Sequence, residues 1–241
     1  MTLLEALTEA RKAGALVPQV QGDCGIFSFW YATVLLRYSG DKRPAIYPRK
    51  HPRPGIPWAD GAQPEVSIRE WAKKNLRSGQ GEVLTTAEMK EMVFAHGYMP
   101  IGCSQPGAIG DLVGMNHPVL VCYSIKGGLP ETHPTGPHAH WSLIVATLGQ
   151  ACLVLNPHNP GHDNWWPLAT LLASNQAVDD YSYERYWYKR HAGDLVSETA
   201  LRQALGLGST NPIPASAYEK RYDIGQDGRS QELKGALIGV G

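Results

Sequence analysis

The chain has 241 residues, 43% of them hydrophobic and 18% charged. That suffices for one large domain or two small ones with a sizeable core, and it excludes disorder throughout. Lys plus Arg (22) balances Asp plus Glu (22), so no overall basic field gathers nucleic acid or anionic lipid, and neither partner is expected. No apolar stretch reaches membrane-spanning length, and Glu5 interrupts the short apolar start with no basic residue ahead of it. The expectation is a chain with no membrane span or signal peptide, cytoplasmic unless exported by a signal-less route.

Leu3, Leu4, Ala6, Leu7 and Ala10 fall at helical spacing behind a Thr2-x-x-Glu5 capping box, which predicts a first helix ending at Gly14. From Cys24 to Tyr38 the chain is apolar on almost every face, the mark of a helix buried in the middle of a fold; Ser39-Gly40-Asp41 ends it. The proline-rich stretch Arg43–Gln63 has no periodicity and reads as a long surface loop bordering a cleft. Its basic residues Lys42, Arg43, Arg49, Lys50 and Arg53 carry no aromatic stacking pattern, so they read as solvated. Two amphipathic helices follow, Ser67–Leu76 and Thr86–Ala95, the second closed by Gly97.

Strand character starts late, at His117–Tyr123, His140–Thr147 and Ala151–Asn156. Helices first and an antiparallel sheet second predict an α+β fold. Leu168–Ser174 reads as a short helix, Tyr181–Tyr188 as an aromatic strand and Ser197–Leu205 as a last helix. From Gly206 the Gly, Ser, Pro and polar content predicts a weakly anchored tail, giving one domain over 1–205 and a tail over 206–241.

The four cysteines, Cys24, Cys103, Cys122 and Cys152, lack C-x-x-C spacing, which argues against a zinc knuckle or a disulfide framework. Cys122 and Cys152 lie in apolar strands and read as core, and Cys103 lies in a polar loop. Cys24 differs. At the start of a helix, unpaired N–H groups and the macrodipole favour its thiolate. Gly22 and Gly25 allow close approach of backbone or substrate, and either Gln19 or Gln21 can offer an amide N–H to a developing oxyanion beside the Cys24 N–H.

A cysteine nucleophile needs a base and a group to orient it. A three-residue loop Leu148-Gly149-Gln150 would pair Thr147 with Ala151 and Ser142 with Asn156. One face then reads His140, Ser142, Ile144, Ala146, Cys152, Val154, Asn156, with Trp141 in the core behind it. An Asn156 carbonyl accepting from one imidazole nitrogen of His140 leaves the other to face the thiolate; Asp163 is the reserve orienting group if Asn156-Pro157 only starts a turn. Trp165 and Trp166 are candidates for shielding the His–Asn bond. The competing reading is zinc, with His138 and His140 at i and i+2 and His133, His158, His162 and Asp163 near in sequence, but no cysteine or carboxylate falls at ligand spacing.

The Q-V-Q-G-D-C-G stretch opening an apolar helix, the H-A-H-W-S-L-I-V strand and the L-V-L-N-P stretch resemble papain-like cysteine peptidases. The D-C-G, the A-H-W strand and the G-E-x-x-x-x-x-x-M segment at Gly81 look most like the branch that holds bacteriocin leader peptidases and the actin maturation protease. The resemblance covers Gln19–Tyr38, Ser67–Tyr98 and His117–Pro157. It implies a papain-like fold and cleavage of a peptide or protein substrate without a cofactor, with Cys24 as nucleophile, His140 as base and acid, Asn156 as orienting residue and Gln19 as oxyanion donor. Asn156 stands where leader peptidases usually carry Asp. The same residues would equally serve an acyltransferase, transpeptidase or deamidase, or survive in a non-catalytic binding module.

Overall fold

The computed structural model describes residues 1–19, 23–51, 57–76, 83, 85–103, 105–126, 129–132, 139–178, 187–191, 194–196, 202–203, 205–208, 211, 218–220 and 233–241. Its first helix, α1 (Leu3–Lys12), is closed at its start by the expected box. Thr2 Oγ1 accepts the Glu5 N–H at 3.3 Å, and the Glu5 carboxylate accepts the Thr2 N–H at 2.8 Å. Leu3, Ala6, Leu7 and Ala10 form its buried stripe against α2 (Cys24–Tyr38), in which every residue from Gly25 to Leu36 is buried. The few polar side chains of α2 find backbone partners: Ser28 donates to the Trp141 carbonyl at 2.9 Å and the Tyr31 hydroxyl to the Val17 carbonyl at 2.6 Å. Two short helices follow, α3 (Ile68–Asn75), capped by Ser67, and α4 (Thr86–Ala95), with a capping box between Thr85 and Glu88.

The sheet begins with β1 (Pro100–Gly102), a strand the sequence reading omitted. Helix α5 (Pro106–Gly114) separates it from β2 (Val119–Lys126), which carries the short β3 (Leu129–Pro130) at its end. Then come β4 (Ala139–Leu148), β5 (Ala151–Leu155), β6 (Asn164–Pro167) and α6 (Leu168–Gln176). A separate three-stranded sheet is built from β7 (Trp187–His191), β8 (Asp194–Val196) and β9 (Tyr218–Lys220). The last strand, β10 (Leu237–Val240), returns to the large sheet, whose order is β1-β10-β2-β4-β5-β6 with every pair antiparallel. The fold is thus α+β with an open antiparallel sheet. Leu120, Cys122, Trp141, Leu143, Leu153 and Leu155 pack with α1 and α2 on one face. Val121, Tyr123, Ile144, Cys152 and Val154 pack with Ile109 of α5 and Leu171 of α6 on the other.

Three expectations change. The stretch 206–241 is not weakly anchored at its end, because β10 lies inside the large sheet between β1 and β2, with Ile238 and Val240 fully buried. The β4–β5 hairpin turns through two residues, Gly149 (φ +56°) and Gln150, so Leu148 pairs with Ala151 and Thr147 with Cys152. A bulge between Ile144 and Ala146 then shifts the register by one, so that Leu143 pairs with Leu155, as a three-residue loop would have had it. The same bulge turns Ala146 to the α1–α2 face, away from Ile144. Of the expected strand Tyr181–Tyr188 only 187 and 188 lie within the described residues, in β7, and the expected helix Ser197–Leu205 falls mostly outside them. No helix among the described residues is long and apolar enough to cross a membrane.

Candidate active site

Cys24 is the first residue of α2 and is half-buried, at the edge of an otherwise enclosed helix. The preceding residue, Asp23, does not cap the helix. Its carboxylate turns inward, 1% exposed, accepts from Arg49 Nε at 2.5 Å and faces Arg69 Nε at 3.5 Å. Burial raises the Asp23 carboxyl above its ordinary range, and the two guanidinium groups pull against that rise. These ion pairs fasten the proline-rich loop and α3 to the residue before the thiol. On the other side Gly25 lies against β4. A Cβ there would stand 3.0 Å from Val83 Cβ and 3.2 Å from Trp141 Cδ1, so a side chain at this position would push its neighbours back by a few tenths of an ångström. The Trp141 indole donates to the Val83 carbonyl at 3.2 Å and completes the contact.

His140, the second residue of β4, is buried and stands opposite Tyr123 of β2, whose ring meets it edge-on at 5.9 Å. Its Nε2 lies 3.0 Å from Asn156 Oδ1, just past the end of β5. The same Oδ1 accepts the backbone N–H of His158 at 2.9 Å. A backbone N–H can only donate, so this second bond identifies the Asn156 atom as oxygen. His140 Nε2 therefore carries the hydrogen and Nδ1 the lone pair. Burial drives the His140 pKa down to about 3, helped by the neighbouring His158 charge and opposed by the Asn156 bond. Near neutrality the ring is an uncharged proton acceptor. Cys24 is within electrostatic reach of the same region, since its charge adds to burial in raising Cys122 and Tyr123, the residues that pair with Trp141 and His140.

Gln19 joins this cluster from the α1–α2 connection. Its N–H donates to the Pro157 carbonyl at 2.8 Å, and its Nε2 is 3.2 Å from His158 Nε2. Gln21 lies outside the described residues. Asp163 is bound to Arg11 at 2.5 Å, while His140 is bonded to Asn156. Arg11 also donates to the Pro160 and His162 carbonyls and so ties the loop after β5 to α1. His133 and His138, needed for the zinc reading, lie outside the described residues, within which no group of three metal-ligating side chains occurs.

Sequence reasoning missed the role of His158, which it named only among the histidines near a possible zinc site. Its ring is exposed but stacks on His140, centroids 4.6 Å apart and planes 7° from parallel. The available signal was its place two residues after Asn156, with Pro157 turning the chain back. Of the three tryptophans considered, Trp141 lies in the α2-side core, Trp166 packs on Tyr123 at 5.7 Å and Trp165 is 40% exposed. Cys122 and Cys152 are buried with raised thiol pKa values, Cys152 to about 11. Cys103, expected in a polar loop, is also buried, against the α5–α6 core. No protein-family model matches the chain, and no curated protein matches it either.

Proposed function

We propose that the chain is a cysteine peptidase of papain-like architecture, with Cys24, His140 and Asn156 as its triad and Gln19 as an oxyanion donor. The supporting observation is the His140–Asn156 hydrogen bond at 3.0 Å, whose polarity the His158 N–H fixes. It leaves a neutral imidazole with its lone pair on Nδ1, the arrangement a thiol proton requires. The order of helical half and antiparallel sheet half, with the cysteine opening a buried helix, agrees with the same reading.

In this mechanism His140 Nδ1 takes the Cys24 proton, and the thiolate attacks the carbonyl carbon of a peptide bond. The carbonyl oxygen becomes an oxyanion held by the Cys24 N–H at the start of α2 and by the Gln19 amide. The imidazolium gives its proton to the leaving amine, the C–N bond breaks and an acyl-enzyme remains. His140 then draws a proton from water, whose oxygen attacks the thioester, and returns it to the thiolate as the acid leaves. Asn156 keeps the ring in the required tautomer throughout.

An epoxide or vinyl-sulfone probe that labels wild type but not Cys24→Ala, with labelling indifferent to EDTA, is the expected result. Labelling that survives in Cys24→Ala, or that chelation abolishes, would overturn the reading.

A further inference from the structure

His158 touches the base, the residue that orients it and Gln19, and it does so with both its backbone and its ring. Its N–H is fixed on Asn156 Oδ1, its ring lies flat on His140 at 4.6 Å, and its Nε2 meets Gln19 Nε2 at 3.2 Å. With the Gln19 amide turned so that its nitrogen faces the ring, His158 Nε2 accepts there and the neutral ring carries its hydrogen on Nδ1. His140 is enclosed and His158 is exposed, which makes His158 the member of the stack that meets solvent protons first. Two imidazolium rings at this separation repel each other.

The other charged or titratable groups around the stack are held elsewhere. Tyr123 of β2 backs His140 and shares a hydrogen bond with Ser142, and Cys24 enters from α2. In the loop itself His162 and Asp163 follow, and Asp163 is paired with Arg11 of α1. Among the described residues no carboxylate forms an ion pair with His158.

We propose that His158 is a positioning residue whose action depends on its proton. Neutral, it holds the Gln19 amide and covers the His140–Asn156 bond; protonated, it sets a like charge against His140 and loses the lone pair that accepted from Gln19. Both effects oppose formation of the His140 imidazolium and the oxyanion site, so activity falls on the acid side. Loss of water from the ring face stacked on His140 lowers the His158 pKa from the ordinary histidine value, which puts the fall below that value. This inference rests on the peptidase reading for its effect on turnover, but the coupling of the two rings is independent of it.

Two measurements on wild type and His158→Phe decide it: the pH dependence of Cys24 alkylation by iodoacetamide, and the nitrogen-15 signals of His140 through the same titration. Phe keeps a flat ring on His140 and cannot titrate. The acid limb of alkylation should move down by about one pH unit in His158→Phe, the order of shift a removed like charge gives. The His140 signals should show a step in wild type that is missing from the variant. An unmoved acid limb, together with His140 signals that respond alike in both proteins, would overturn the inference while rapid Cys24 alkylation in both left the peptidase reading standing. Were Cys24 no faster than a free thiol in either protein, the peptidase reading would fall and the His140 signals alone would decide, a step confined to wild type supporting the coupling and its persistence in His158→Phe overturning it.

Discussion

Cys24 enters the site on a helix enclosed by apolar side chains from Gly25 to Leu36, whereas His140 and Asn156 enter it from the ends of two strands and are fixed by hydrogen bonds. The helix side has little room for added volume, since a Cβ at Gly25 would press on both Val83 and Trp141. The strand side has few atoms to displace but a strict order of donors and acceptors. Packing defects lower the stability of a whole domain, while a misplaced donor also changes the position of a proton at the site. Damage to the helix side should therefore be read in stability, and damage to the strand side in turnover.

The largest expected effect lies where the two sides meet. Cys24→Ala and His140→Ala should each lower peptide turnover by about 10⁴-fold or more, whereas Asn156→Ala should lose on the order of tenfold to 10²-fold less, because thiol, base and oxyanion donors remain. Steady-state kinetics would settle the order, and full activity in Asn156→Ala with loss in Asp163→Ala would transfer the orienting role to Asp163. A smaller effect should appear in stability alone. Gly25→Ala should destabilise by about 1–3 kcal/mol through overpacking, while Gly107→Ala in α5, with no atom within 4 Å of the added Cβ, should be neutral or stabilising by up to about 1 kcal/mol. Urea midpoints compare them directly, and equal midpoints would break the contrast.

A third effect is on the slope of stability with pH. His140 is held at about 3 in the folded protein against an ordinary value of 6.5. Below 6.5 the unfolded chain takes up a proton that the folded chain refuses, so stability present above that pH is lost as pH falls toward 3. For one such group the loss is about 1.4 kcal/mol per pH unit inside that window. Denaturant melts between pH 7 and pH 4 should show a shallower slope in His140→Gln, and an unchanged slope would mean that the buried ring is charged in the folded state.

Much of the helical half was legible because its signals are local. Thr2 with Glu5, the unbroken apolar run after Cys24 and the closing Gly97 each act within a turn or two of the residues they organise. Helix α5 was missed because Gly107, Gly110 and Gly114 dilute its apolar pair Ile109 and Leu112. Strand β10 was missed because Leu237-Ile238-Gly239-Val240 is too short and too glycine-bordered to show a period, and the strands that hold it extended, β1 and β2, lie more than 100 residues earlier in the chain. At the site, Cys24, His140 and Asn156 could be chosen by residue type and spacing. The right pairing near Asn156 came from a wrong loop length, since the two-residue turn and the bulge at Val145 cancel. The stacking of His158 follows from a turn geometry that residue types do not specify.

The position of β10 bears on the order in which the sheet is made. Strands β2, β4, β5 and β6 are neighbours in space in nearly the order of synthesis, so they can zip up by short loops soon after they emerge. Strand β1, although earlier in the chain, reaches the sheet among the described residues only through β10, which follows residue 236. A nascent chain can therefore assemble the His140 and Asn156 strands early but must hold β1 and one edge of β2 unpaired until residues 237–240 arrive. That interval exposes open strand edges, and it is the stage at which a chaperone or a second nascent chain would find a template to pair with.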